Sequence, residues 1–122
     1  MTFAYWMVLA AGLLPYFAVV LAKSGGVDNR APRQSLAKLT GWRQRADWAQ
    51  RNHFEAFPLF AAAVIIAELA RVPQSRIDLL AGLFIGLRLL YTAMYILDRA
   101  SLRTIVWALG LMAVLGLFVL AA

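Results

Sequence analysis

Long apolar runs alternate with polar ones along the chain, and four of the apolar runs approach the length of a membrane crossing. A helix rises about 1.5 Å per residue, so the hydrocarbon core of a bilayer takes about 20 predominantly apolar residues to cross. Residues 3–22 and 104–122 come near that length without a single charge. Residues 53–70 do so while carrying Glu55 and Glu68, and 77–97 while carrying Asp78 at the start and Arg88 well inside. In lipid only helices and closed barrels satisfy their own backbone groups, and uninterrupted runs of this length fit helices rather than strands of about ten residues. The pattern predicts one all-α domain over residues 1–122, an integral membrane four-helix bundle.

The polar stretches set how the spans connect. Between spans one and two, Ser24-Gly25-Gly26 and Pro32 interrupt any helix. From about Ser35 helical spacing returns: Leu36, Leu39, Trp42 and Arg43 are placed to lie along the surface and lead into span two, giving it an extension from about residue 42. Only Arg71–Arg76, with Pro73, separates spans two and three, so these two form an antiparallel hairpin. The first span has no Lys or Arg before Lys23 and outruns the 7–15 apolar residues of a secretory signal, so it reads as a retained helix.

Composition narrows the class further. Hydrophobic residues make up 63% of the chain, against roughly 45–50% in soluble domains, which is more than a small soluble fold can bury. The absence of cysteine removes a disulfide framework, a thiolate metal site and a cysteine nucleophile. The net charge of +6 sits mostly between Lys23 and Asn52, which hold seven cations against two anions. Loop three adds Arg99 and Arg103, while the opposite face has only Arg71 and Arg76. By the positive-inside rule, loops one and three are cytoplasmic and both termini lie outside. The same surplus suits anionic lipid head groups and lends nucleic-acid binding no support beyond the charge itself.

Charges inside spans carry the chemistry. Each costs roughly 2.5–3.5 kcal/mol to insert, so it turns into the bundle and finds a partner. Arg88 lies ten residues before Asp98, on the order of 15 Å below the end of span three, and Glu55 is its expected counter-ion across the hairpin. On span two Arg45, Trp48, Asn52 and Glu55 follow one another at steps of three or four, with Arg51 flanking Glu55. On span three Arg88, Tyr91 or Thr92, Tyr95 and Arg99 do the same. Such a cluster either glues helices together or binds a ligand. Arg45, Arg51, Arg88, Arg99 and Arg103 outnumber Asp47, Glu55 and Asp98, and guanidinium groups in excess, beside tyrosines, suit a ligand bearing carboxylates. His53, the single histidine, sits beside Asn52 at the membrane surface, without a carboxylate to orient it as a base and unable to hold a metal alone. Gly82 and Gly86 offer a close helix contact.

These residues resemble the MAPEG family, the membrane-associated proteins in eicosanoid and glutathione metabolism. The run Arg45 to Phe60 contains Asn52-x-x-Glu55-x-x-Pro58, and span three contains Arg88-x-x-Tyr91-x-x-x-Tyr95. Both match the family pattern in spacing and in helix, and the likeness extends over the whole chain. It implies a homotrimer of four-helix subunits, with glutathione as co-substrate at each subunit interface near the cytoplasmic face. By position Arg51, Asn52, Glu55, Tyr91 and Tyr95 would contact glutathione, and Arg88 would brace Glu55. Some members have an arginine four residues before the motif asparagine, where Trp48 stands here; others have one immediately before it, as Arg51 is. In catalytic members the arginine that stabilises the glutathione thiolate follows the second tyrosine by seven to nine residues. Arg103 fits that spacing, and Arg99, four after Tyr95, is the alternative.

The chain is short, like bacterial members, which implies a bacterial inner-membrane protein. The expected activity is a glutathione-dependent transferase or peroxidase acting on hydrophobic electrophiles or lipid hydroperoxides. The alternative is a non-catalytic membrane protein whose polar pocket binds an anionic lipid or only stabilises the oligomer. Partners implied are a second and third copy of the chain, membrane lipids and a hydrophobic small molecule.

Overall fold

A computed structural model describes all residues from Met1 to Ala122. It contains five helices and no strand: α1 (Phe3–Lys23), α2 (Pro32–Ala37), α3 (Gly41–Leu69), α4 (Gln74–Ile96) and α5 (Ala100–Ala121). Four of these, all but α2, are long and apolar enough to cross a membrane. The central pair α3 and α4 is flanked by α1, packed chiefly on α3, and by α5, packed chiefly on α4.

Lipid tails are as apolar as leucine, so helices in a bilayer associate through close van der Waals packing and small interfacial residues. The sequence supplies both. On α1, Ala4, Ala11, Ala18 and Ala22 are buried, and on α3 so are Ala46, Ala49, Ala63 and Ala67. At mid-height Phe60 of α3 stacks on Phe84 of α4, with ring centroids 4.0 Å apart. Gly82 lets the Phe3 ring approach α4, since a Cβ there would lie 3.1 Å from it, while Gly86 faces open space. The first glycine of the pair thus serves packing within the subunit.

Both helix turns of the bundle close in the same way. Arg71 and Asp98 follow the ends of α3 and α4 with φ of 58°. In each case the next residue's N–H reaches back to the helix, Val72 to the Ala67 carbonyl and Arg99 to the Met94 carbonyl. These are Schellman caps made without glycine. They keep the α3–α4 and α4–α5 connections to a few residues and so hold neighbouring spans antiparallel. The first connection differs from the expected surface helix continuous with span two. It forms the short α2, in which Leu36 is buried, and then breaks at residues 38–40 before Gly41 opens α3 at φ 67°.

Polar side chains tie the two ends. At one end Asp78 of α4 accepts from the Ala4 N–H at 3.0 Å, placing a carboxylate at the positive N-terminus of α1. Gln74 bridges Asp78 and Glu68, and Thr2 donates to Glu68. At the other end two arginines of α3 serve helix C-termini. Arg43 donates to the carbonyls of Ala22 and Gly26 beyond α1, and Arg45 to those of Tyr95 and Ile96 in α4. The guanidinium of Arg43 lies so close to Gly25 that a Cβ there would meet it at 2.7 Å.

Candidate functional site

The inward edge of α3 near its N-terminal third faces the C-terminal half of α4 and the first turns of α5. Arg88, only 3% exposed, is the centre of this region. It does not pair directly with Glu55, which lies exposed on α3. Its Nη2 donates to Asn52 Oδ1 at 2.8 Å, and the Asn52 amide then donates to Glu55 at 3.2 Å. The expected ion pair is therefore bridged by asparagine. The reason is helical geometry: Asn52 and Glu55 are one turn apart on α3, and Asn52 is the one level with Arg88.

The other partner of Arg88 is His53. Nε and Nη2 approach its Nδ1 at 3.1 and 2.9 Å, and His53 Nε2 lies 2.7 Å from Thr92 Oγ1. His53 is buried between the helices, 2% exposed. The guanidinium also lies 4.3 Å from the centre of the Tyr91 ring, a cation–π contact that replaces water on that side. A helical signal for His53 was present. It stands on the stripe Ala46, Ala49, Phe60, Ala63 and Ala67 that forms the core face of α3, where a lone polar ring must answer a polar group on the helix opposite.

Toward the membrane surface, Arg103 of α5 sits 4.3 Å over the ring of Tyr95. Asn52, Tyr91, Tyr95, Arg103, Thr104 and Trp107 line a polar cleft of about 210 Å³. Asn52 and Trp107 are shared with a second, mostly apolar cleft of about 230 Å³ between α3 and α5, which Leu59, Phe84, Leu111 and Val114 help to line and at whose polar edge stand Glu55 and Arg88. Thr104 and Trp107 were not singled out in the sequence. Trp107 follows Arg103 by one helical turn, so the same spacing rule extended into α5 finds it.

Three expected members stand apart. Arg45 is drawn off to the end of α4, because the last carbonyls of that helix have no intrahelical donor. Arg51 pairs with Asp47 at 3.2 Å on another side of α3. There it lines a separate cleft of about 380 Å³ with Arg33, Leu36, Asp47, Gln50 and Phe54. Arg99, beside the turn before α5, is exposed and outside both clefts of the Asn52 side. Trp48, on the predicted stripe, packs its ring against Tyr95 at 6.2 Å.

The arrangement thus joins a cation, two tyrosines and an amide in one cleft to an apolar groove next door. No curated protein and no solved structure matches the chain. The family model of the MAPEG family matches residues 3–122. Members of that family are glutathione-dependent transferases, peroxidases or related membrane proteins. With four membrane-length helices and a match along essentially its whole length, this chain belongs to the MAPEG family.

Proposed function

We propose that the protein is a glutathione-dependent transferase or peroxidase that acts on hydrophobic electrophiles or lipid hydroperoxides. The observation that carries this reading is Arg103 over Tyr95, in a polar cleft that shares Asn52 and Trp107 with an apolar one. The donors fit glutathione, whose two carboxylates call for cations and neutral hydrogen-bond donors. A fixed cation beside the sulfur favours thiolate over thiol and so makes a nucleophile near neutral pH. The thiol proton leaves to water as the thiolate forms. In conjugation the sulfur then bonds to the electrophilic carbon and the leaving group departs with the electron pair. In peroxide reduction the sulfur attacks the distal oxygen and an alcohol leaves. A second glutathione condenses with the resulting sulfenic acid to give the disulfide and water.

Arg103 is assigned the thiolate, with Arg99 the alternative. Asn52, Glu55, Tyr91 and Tyr95 are assigned to glutathione, and Arg88 to bracing Glu55 through Asn52. Each of the two clefts that share Asn52 is smaller than the roughly 300 Å³ at which ligand sites begin. This supports a homotrimer in which a neighbouring copy completes the site, and Arg51 reaches glutathione only in such an assembly. The basic first and third loops support placing these loops in the cytoplasm, and the resemblance to short bacterial members supports a bacterial inner membrane.

The rival reading, a non-catalytic protein, is favoured by one observation: the Asn52, His53, Arg88 and Thr92 network closes within a single subunit and could serve adhesion alone. It leaves Arg103 only its contact with Tyr95 and gives no role to the cleft that the two line. Millimolar glutathione is expected to raise the melting temperature of the detergent-purified protein and to support conjugation of an aryl halide. Arg103→Ala should lower the conjugation rate on the order of 10²-fold while the melting temperature falls by no more than the few degrees of one cation–π contact. A folded protein that glutathione neither stabilises nor enables to conjugate would sink the enzyme reading.

A further inference from the structure

The hydrogen bonds around Arg88 have only one consistent set of directions. Arginine donates and never accepts, so His53 Nδ1, which receives Nε and Nη2 at 3.1 and 2.9 Å, carries no proton. Thr92 donates its hydroxyl to the Arg88 carbonyl at 3.1 Å, which leaves its oxygen to accept from His53 Nε2–H at 2.7 Å. The ring is thereby tied to α4 at both nitrogens. Asn52 is fixed by the same logic: its oxygen must face Arg88, so its amide nitrogen must face Glu55. Without the histidine the guanidinium would keep only Asn52 and the face of Tyr91, and its Nε would lose its acceptor.

We propose that His53 is the positioning residue of this site: as the neutral Nε2–H tautomer it supplies the acceptor that fixes the Arg88 guanidinium and, through it, aims the Asn52 amide at Glu55. Its consequence for glutathione rests on the reading above. Because His53 acts on the Asn52 and Glu55 side and Arg103 lies on α5, loss of His53 alters the glutathione KM and leaves kcat largely alone.

His53 is the single histidine, so protein labelled with ¹⁵N-histidine and purified without a histidine tag reports one ring. The expected spectrum has an imine-like Nδ1 and a pyrrole-like Nε2. A cationic ring or the Nδ1–H tautomer overturns the proposal whether or not glutathione binds. In kinetics, His53→Leu should raise the glutathione KM about tenfold or more, the value of a hydrogen bond to a charged group, with kcat within about threefold. His53→Asn, whose Oδ1 takes the place of Nδ1, should restore KM to within about threefold of wild type. Equal KM values for the two variants, or a loss in kcat alone, would overturn it. Should His53→Leu not fold, Thr92→Val removes only the acceptor of Nε2–H. Arg88 still donates to Nδ1, so the ring should stay the Nε2–H tautomer with only its Nε2 resonance moved, and a protonated Nδ1 counts against the proposal. Wild-type protein with the expected spectrum but no response to glutathione would refute the enzyme reading and leave the positioning role standing.

Discussion

The two ends of the bundle solve the same problem with opposite charges. Where α1 begins, Asp78 serves the N-terminus of that helix, Glu68 accepts from both Thr2 and Gln74, and Gln74 also donates to Asp78. Where α1 ends, Arg43 and Arg45 serve two helix C-termini. Each choice follows the helix dipole, which favours anions at N-termini and cations at C-termini. The ends differ in what is left over. The carboxylate end closes on itself, whereas the arginine end still turns Arg103, Asn52 and two tyrosines into an open cleft. Cations used as caps and cations facing a cleft look alike in a sequence, and only their partners separate them.

The sharpest way to break this contrast is Arg88→Ala, which orphans His53 and Asn52 together. Loss of a charged donor, leaving one buried and one half-buried acceptor unpaired, should cost about 2–4 kcal/mol, lowering the melting temperature on the order of 10 °C and abolishing glutathione conjugation. A variant as stable as wild type would mean that the Arg88 network does not hold α3 to α4. Arg45→Ala comes next. It should cost about 1 kcal/mol of C-cap stabilisation and, because Tyr95 is no longer anchored from α3, lower conjugation about tenfold. Asp78→Ala should cost a similar 1 kcal/mol at the opposite end, read as a melting shift of a few degrees, with conjugation unchanged. If Asp78→Ala impaired catalysis as much as Arg45→Ala, the division between a structural and a functional end would fail. The smallest effect belongs to Arg99→Ala: stability within about 0.5 kcal/mol of wild type and conjugation within about twofold. Loss of activity there, with Arg103→Ala active, would exchange the roles of the two arginines.

Much of this was legible in the sequence because a bilayer leaves few choices. Four apolar runs had to be helices, and the four long helices fall on those runs. The α3 and α4 stripes were legible too, although spacing put Glu55 opposite Arg88 where the structure places Asn52. Spacing does not say which unsatisfied group an arginine will find first. Arg45 was read as part of the ligand stripe, but the carbonyls of Tyr95 and Ile96 lie nearer. Arg51, next to Asn52 in sequence, is rotated by about 100° around the helix and meets Asp47 instead. His53 escaped for the converse reason: a polar residue on an apolar stripe is read as misplaced until the partner across the interface is known.

The attachment of α5 carries a consequence for how the bundle can open. Side-chain hydrogen bonds join α1 to α3 and to Asp78, and α3 to α4, but none joins α5 to another helix. It is held by apolar contacts, such as Gly110 against Phe84 and Gly116 against Leu80, and by Arg103 on Tyr95. Lipid tails can replace apolar contacts at little cost. The seam between α3 and α5 is therefore a place where two spans of the bundle can part without breaking a side-chain hydrogen bond.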